Sequence, residues 1–125
     1  MKKANKKSLM KELDKLWSLA VKKADKGLCQ WCKDRSKITK GVNAHHIIPR
    51  SRGKSTRWEL GNGIYLCFYC HHRRILDEPI EYAGFIISWM GGQTLYDDLK
   101  AKSKIIKKWT LDELLAKREE LKKYV

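Results

Sequence analysis

The four cysteines of the chain form two closely spaced pairs whose pattern is typical of a metal site. Cys29 and Cys32 make the first pair, Cys67 and Cys70 make the second, and residues 33 to 66 separate them. A gap of two residues lets both sulfurs of a pair reach one ion at about 2.3 Å, so two pairs complete a closed tetrahedral shell. We therefore predict a structural zinc site built from four thiolates.

Disulfides and a c-type haem are the other uses that these cysteines allow. The run Cys67-Phe68-Tyr69-Cys70-His71 fits a haem attachment motif, but that use requires export and leaves Cys29 and Cys32 without a role. The apolar residues after Met1 are interrupted by charges, which is not the pattern of a secretory signal. We therefore expect a reducing, cytoplasmic environment in which the cysteines bind metal.

All four histidines of the chain occur as two adjacent pairs, His45-His46 and His71-His72. A single pair would be weak support for a site, because isolated histidines are usually surface or core residues. Here each pair lies next to an element that the cysteines would hold, so the two pairs can be brought face to face. Imidazole titrates near neutral pH and is a common metal ligand, so both pairs are candidates for a reactive site.

Two short strands and a helix are predicted to position these histidines. The apolar segment around Val42 to Ile48 predicts a first strand that carries His45 and His46, and Gly63 to Leu66 predicts a second strand. The intervening residues, Arg50 to Asn62, are polar, contain Gly, Ser and Arg, and predict a loop. Residues 68 to about 76 predict a helix, which carries the second histidine pair.

Helices are predicted on both sides of this unit. From residue 8 to residue 26, apolar side chains recur at helical spacing and predict an amino-terminal helix that packs on the core. Pro79 favours a helix start, Gly91-Gly92 a break, and Thr94 the cap of a further helix that extends to Ile106. Thr110 and Glu113 have the spacing of a capping box. We expect one domain over residues 1–125, with a core at 27–76 and two or three helices at 77–125.

Positive charge is concentrated in the first part of the chain. The chain has 28 Lys and Arg against 14 Asp and Glu, a net charge of +14. The excess is +6 in residues 1–26, +8 in residues 27–76 and zero in residues 77–125, by count of the charged residues. No apolar run approaches the roughly 20 residues of a membrane-spanning helix. This distribution favours a polyanionic partner, and a nucleic-acid backbone is the commonest one.

Together these motifs resemble the HNH endonucleases of the ββα-metal, or His-Me finger, family. The matching run is Ala44-His45-His46-Ile47-Ile48-Pro49-Arg50-Ser51, then Asn62-Gly63-Ile64-Tyr65-Leu66, then Cys67-x-x-Cys70-His71. With Cys29-x-x-Cys32, the resemblance covers residues 29 to about 76. It implies an α+β fold, in which a small ββα-metal module with a four-cysteine zinc knuckle is flanked by an amino-terminal helix and two or three carboxyl-terminal helices. It also implies a metal-dependent enzyme that hydrolyses DNA.

The resemblance assigns a role to each matching residue. It implies that His45 and His71 bind one catalytic divalent ion, that His46 is the general base, and that Asn62 orients the base by holding the loop. The implied products carry a 5′-phosphate and a 3′-hydroxyl. Many members have Asp where His45 stands here, which leaves the catalytic ion open among Mg²⁺, Mn²⁺, Ni²⁺ and Zn²⁺.

Basic residues near this site are candidate phosphate contacts, because a guanidinium binds two phosphate oxygens at once. They are Arg50, Arg52, Lys54, Arg57, Arg73 and Arg74. The amino-terminal lysines, such as Lys2 and Lys3, are expected to add affinity that does not depend on DNA sequence. His72 is expected to face solvent or a phosphate, and Trp58 is expected in a small core beneath the loop rather than on a base.

Two other functions stay open at this stage. One is a zinc module that binds nucleic acid without cutting it, and the other is a nuclease that acts on RNA. Small proteins of this family are frequent in bacteriophages, and some assist genome packaging. Packaging machinery is therefore a further expected partner, with the host cytoplasm as the location if a phage encodes the chain.

Overall fold

A computed structural model describes residues 6–125, and in it helices surround a two-stranded sheet. Lys2 and Lys3, predicted to add affinity for DNA, lie outside the described residues. The strands are β1, Asn43–His46, and β2, Gly63–Leu66. The helices are α1, Lys6–Ala24; α2, Gln30–Asp34; α3, residues 68–77; α4, Pro79–Met90; α5, Gln93–Ser103; and α6, Leu111–Lys122. Two short 3₁₀ turns, Arg50–Arg52 and Leu60–Asn62, lie in the loop between the strands.

The ββα unit is an antiparallel hairpin followed by a helix. In the register of the hairpin, His45 is opposite Ile64 and His46 is opposite Gly63. Cys67 then joins β2 directly to α3. This order, with α1 before the unit and α4 to α6 after it, confirms the predicted α+β class.

Two clusters of buried side chains hold the strands from opposite sides. The first cluster joins α1, α6 and the hairpin and contains Leu9, Leu13, Trp17, Val21, Trp58, Tyr65, Leu114 and Leu121. The second joins the cysteines, β2 and α4 and contains Cys29, Trp31, Ile64, Leu66, Cys67, Cys70, Phe85 and Ile86. Each large apolar side chain in these clusters contributes about 1.5–3 kcal/mol. The apolar stripe of α1 is therefore core, as predicted, and so is Trp58, which is 1% exposed.

The helix ends match the sequence prediction at the starts of α4 and α6 and differ from it at α1 and α5, since α1 spans Lys6–Ala24 rather than residues 8–26. The capping box is confirmed, since the Glu113 amide donates to Thr110 Oγ1 at 3.2 Å and the Thr110 amide to Glu113 Oε1 at 2.9 Å. The residue that caps α5 is Gly92, not Thr94 as predicted, and Ile106 lies beyond that helix. Gly92 has a φ of 131°, a backbone conformation that glycine adopts without strain.

Inside α3, residues Cys70–Arg74 form a π-helical turn that the sequence did not predict. Turns of this kind often occur at functional sites, and this one carries His71 and His72. In the described part of the chain, no helix has the length and apolar character needed to cross a membrane.

Candidate active site and metal centre

The four cysteines meet at one point between α2 and the start of α3. All four are free thiols, and their Sγ atoms lie within 4.8 Å of one another. Cys32 Sγ is 3.9 Å from Cys67 Sγ and 3.8 Å from Cys70 Sγ. Ligands at about 2.3 Å from a tetrahedral ion are separated by roughly 3.8 Å, so this donor set fits a zinc-type ion. Among residues 6–125, it is the one group of three or more such ligands that lies so close together.

Arg74 lies beside this cysteine site rather than at the surface. Its guanidinium lies 3.6 Å above the ring of Trp31, and its Nη1 is 3.9 Å from Cys70 Sγ. It also pairs with Glu78 at 3.4 Å and is only 5% exposed. The assignment of Arg74 as a nucleic-acid contact is therefore corrected. Its side chain is directed inward along α3, where burial raises the pKa of the Cys70 thiol and the hydrogen bond from Arg74 acts against that rise.

Three histidines line one open cavity of about 610 Å³ at the end of the hairpin. His45 and His46 reach it from the end of β1, and His71 reaches it from the π-helical turn of α3. The ring centroids of His45 and His71 are 5.1 Å apart. The other residues that line the cavity are Ala44, Pro49, Arg50, Ser51 and Arg57.

His45 and His71 each have a ring nitrogen that makes no hydrogen bond among the described residues. His45 Nε2 shares a hydrogen bond of 2.9 Å with the hydroxyl of Tyr82 on α4, which leaves Nδ1. His71 Nδ1 is buried and has no hydrogen-bond partner within residues 6–125. Two imidazoles that share an ion at about 2.1 Å hold their centroids roughly 5 Å apart, so the observed separation suits one shared ion.

The pKa values of these two rings also suit metal binding. Burial, together with the nearby charge of His71 and His46, lowers the pKa of His45 to about 4. Burial and the nearby His72 lower the pKa of His71 as well. Both rings are therefore neutral near pH 7, the form in which histidine binds a metal.

His46 is held in one tautomer by the loop. Its Nε2 lies 2.9 Å from the backbone carbonyl of Arg57, and a carbonyl can only accept, so Nε2 carries the proton. Nδ1 is then left unprotonated. Burial and the charges of Arg50 and Arg57 lower the pKa of His46, while the Arg57 carbonyl and Asp14 oppose that shift.

Asn62 joins the two ends of the loop that carries Arg57. Its Oδ1 accepts from the Ile48 amide at 2.7 Å, and its Nδ2 donates to the carbonyls of Ile48 and Thr56 at 3.0 and 3.1 Å. The side chain is fully buried. Asn62 thus fixes the chain two residues after His46, although it does not line the cavity itself.

Two side chains of α1 also belong to this neighbourhood, and sequence reasoning missed them. Trp17 stacks on the ring of His46, with centroids 3.9 Å apart and planes 10° from parallel. Asp14 binds Arg57 at 2.8 Å and Arg50 at 3.1 Å. Trp17 was counted only as part of the apolar stripe. The available signal was an acidic residue three positions earlier on the same helix face.

The predicted phosphate contacts are distributed over several surfaces. Arg50 and Arg57 line the histidine cavity, whereas Arg73 is exposed on α3 and pairs with Asp77 at 3.3 Å. Arg52 is exposed and lines a different cavity, next to Tyr96. His72 is exposed, as expected, and packs on Phe68 with centroids 4.3 Å apart.

A smaller cleft of about 170 Å³ adjoins the histidine cavity, and Arg57 lines both. Its described lining is basic and aromatic, and consists of Lys6, Met10, Lys54, Arg57, Trp58, Lys107, Lys108 and Trp109. Sequence reasoning named Lys54 and Arg57 but did not find Lys107, Lys108 or Trp109. These three belong to the segment between α5 and α6, far from the motif in sequence.

Comparison with known proteins gives two matches. A family model described as HNH endonuclease matches residues 29–74. The chain is 36% identical to the HNH endonuclease of the deep-sea thermophilic bacteriophage GVE2, whose crystal structure contains a manganese ion. That match covers 53% of this chain and 72% of the phage chain, with a TM-score of 0.46. A comparison with curated proteins found no match.

Proposed function

Because this chain belongs to the HNH endonuclease family, we propose that it hydrolyses phosphodiester bonds of DNA with His46 as the general base. In this proposal, His45 and His71 would hold one divalent ion. The observation that carries the proposal is the hydrogen bond from His46 Nε2 to the Arg57 carbonyl, which leaves Nδ1 free to take a proton. His46, His45 and His71 line the same cavity, which supports their action on one phosphate.

The reaction follows from the states of these side chains. His46 is neutral near pH 7 because its pKa is lowered, mainly by burial, so Nδ1 can accept a proton from water as the water oxygen attacks phosphorus. The bond from phosphorus to the 3′ oxygen breaks, and that oxygen takes a proton from solvent. The products are a 5′-phosphate and a 3′-hydroxyl. A divalent ion, when bound, supplies stabilisation of the negative charge on the phosphoryl and leaving oxygens.

Each metal of the proposal follows from the chemistry of its donors. Four cysteine thiolates suit zinc in a closed, structural site. Two imidazoles and an open cavity suit an exchangeable ion, and imidazole favours Mn²⁺, Ni²⁺ or Zn²⁺ over Mg²⁺. The manganese ion of the bacteriophage GVE2 relative supports Mn²⁺ as the first ion to test.

Positive charge around the cavity supports a nucleic-acid substrate. Arg50 and Arg57 line the cavity and share one carboxylate, that of Asp14. Lys54, Lys107 and Lys108 continue the basic surface into the adjoining cleft, where Lys107 pairs with Glu113 at 2.6 Å. We assign these residues, with Arg52 and Arg73 at the periphery, to contacts with DNA phosphates. The phage relative supports a role for the chain in phage biology. Packaging proteins as partners, and the host cytoplasm as the location, belong to the proposal on family analogy alone.

Cleavage of a supercoiled plasmid tests this function. With Mn²⁺, we expect the wild type to cut the DNA and His46→Ala to lose about 10²- to 10⁴-fold in rate while its DNA affinity is kept. Cleavage by both proteins at equal rates would contradict the role of His46. If the wild type bound DNA but did not cleave it with each of Mg²⁺, Mn²⁺, Ni²⁺ and Zn²⁺ in turn, a binding module would be favoured instead. An RNA of the same sequence in parallel tests the remaining alternative, since faster cleavage of RNA would contradict a DNA substrate.

A further inference from the structure

Helix α1 lies outside residues 29–74, which the family model matches, yet it contacts both the proposed base and a residue that binds this base. Trp17 covers one face of the His46 ring at 3.9 Å. Asp14, one turn earlier, binds the guanidinium of Arg57, whose own carbonyl accepts the proton of His46 Nε2. The same helix therefore contacts both the plane of the imidazole and the residue that fixes its tautomer.

The hairpin leaves room for this stack because His46 is paired with a glycine. Gly63 lies opposite His46 in the register of the sheet. A Cβ atom at Gly63 would lie 2.7 Å from Trp17 Cζ2 and 2.5 Å from Val21 Cγ2, which is too close for either contact. The indole therefore occupies space that any other residue at position 63 would fill.

Trp17 is itself fixed in this position. Its Nε1 donates to the Glu59 carbonyl at 2.7 Å, and the side chain is 2% exposed. Glu59 belongs to the loop that also carries Arg57. The indole is thus bound to the loop by its N–H and to His46 by its face, so it cannot rotate away from the imidazole without losing both contacts.

Asp14 acts on the Nε2 edge of the imidazole through Arg57. Its carboxylate accepts from Arg57 Nε at 3.0 Å and Nη2 at 2.8 Å, from Trp58 Nε1 at 2.8 Å, and from Arg50 Nη1 at 3.1 Å. Hydrogen bonds between two charged groups in this paired arrangement are strong and directional. These hydrogen bonds hold Arg57, and with it the carbonyl that accepts the hydrogen bond from His46 Nε2.

We propose that Trp17 and Asp14 are positioning residues that hold His46 in the orientation needed for base catalysis. The inference rests on the proposed function of His46 as the base. The stack fixes the plane of the imidazole, and the Arg57 carbonyl fixes its rotation within that plane. Together they hold Nδ1 in one direction. Orientation of this kind matters because a displacement of about 1 Å can cost a reaction roughly 100-fold in rate.

Substitution of Trp17 tests the stack, with a variant of Leu13 as a matched control. We expect Trp17→Leu to lower kcat roughly 10- to 100-fold with little change in KM for DNA, and Trp17→Phe, which keeps an aromatic face, to recover most of that loss. Leu13 is fully buried in the same helix and the same cluster. Leu13→Ala should therefore lower Tm without lowering kcat at temperatures well below Tm. An equal loss of kcat in both variants would contradict the proposal.

A double-mutant cycle separates positioning from stability more sharply. If Trp17 acts through His46, then Trp17→Leu should not slow the residual cleavage of His46→Ala any further. The same fold-loss in both backgrounds would overturn the proposal. The same cycle is measured with Asp14→Asn, which preserves the apolar face of α1. This second cycle tests the proposal if Trp17→Leu does not fold. Failure of the proposed function gives a different result, because His46→Ala alone would then cut as fast as the wild type.

Discussion

The cysteine site and the histidine cavity lie on the same ββα unit but differ in closure. Four sulfurs lie within 4.8 Å of one another, and three of the four cysteines are buried. The histidine cavity is open to solvent, and His71 Nδ1 has no hydrogen-bond partner in the part of the chain that the structure describes. A closed set of four ligands suits an ion that stabilises the fold, whereas two ligands in an open cavity leave positions for water and substrate.

The two sites should therefore respond differently to the loss of one ligand. The largest effect is expected from Cys70→Ser, because a structural zinc contributes about 10–16 kcal/mol to a small module, which is comparable to the whole stability of a domain. We expect this variant to lose both zinc and its cooperative thermal transition. Elemental analysis and circular dichroism measure these losses. A variant that melted like the wild type would show that the cysteine site does not stabilise the fold.

Removal of a histidine ligand should leave the fold intact and weaken the exchangeable ion. We expect His71→Ala to keep its zinc and its Tm. The Mn²⁺ concentration for half-maximal cleavage should rise by more than the roughly 10- to 100-fold that follows the loss of an outer hydrogen bond in a metal site. Titration of cleavage rate against Mn²⁺ measures this change. An unchanged midpoint would show that His71 does not hold the ion.

The cleft that adjoins the histidine cavity is expected to contact the substrate rather than a metal ion. Each phosphate contact makes the slope of log K against log salt more negative by about 0.9. Lys54→Ala combined with Lys108→Ala should therefore make the slope less steep by about 1.8. The control is Lys33→Ala with Lys37→Ala, which removes the same charge from one exposed residue in α2 and one exposed residue just after it. DNA binding at several salt concentrations measures both slopes. Equal slopes for the two double variants would show that the lysines of the cleft do not contact DNA phosphates.

A smaller effect is expected from Asp14 and pH. Burial raises the pKa of Asp14, but hydrogen bonds from Arg57 and Trp58 and the charges of Arg57 and Arg50 outweigh it, so the folded-state pKa lies below 3.8. A carboxyl group with a lowered pKa stabilises the fold when the pH is above the pKa of that group in the unfolded chain. The stabilisation is lost as the pH falls through the pKa of the group in the folded state.

The matched variant for this titration is Asp14→Asn, compared with the wild type by Tm at several pH values. The wild type should melt about 4 °C higher at pH 6, the shift that 1 kcal/mol produces in a domain of this size. The difference should narrow below pH 4. A difference that does not change with pH would mean that the carboxylate charge of Asp14 does not stabilise the loop.

Sequence was sufficient for the parts of the molecule that depend on local spacing. The cysteine pairs come together as predicted, β2 has the predicted bounds, and the capping box at Thr110 is present. These features follow from residues that are close in sequence, or from a metal donor set that has one favourable geometry. The roles of His45, His46, Asn62 and His71 stay predictions until cleavage is measured.

Long-range packing accounts for what sequence could not give. Arg74 has the composition of a phosphate contact, but its position on α3 and the nearby Trp31 ring place it beside the cysteines. Trp17 has the spacing of a core residue, and its contact with His46 depends on how α1 crosses the hairpin. Lys108 and Trp109 join the cleft only because α6 packs back on α1.

Graded chelation, followed at once by cleavage rate, circular dichroism and zinc content, tests most directly the claim that one site serves the fold and the other the reaction. We expect mild chelation to abolish cleavage while zinc content and helical signal stay constant, and Mn²⁺ to restore the rate. Stronger chelation should then remove zinc and unfold the chain. Loss of cleavage, zinc and helical signal in a single step, with no stage that Mn²⁺ restores, would contradict the claim.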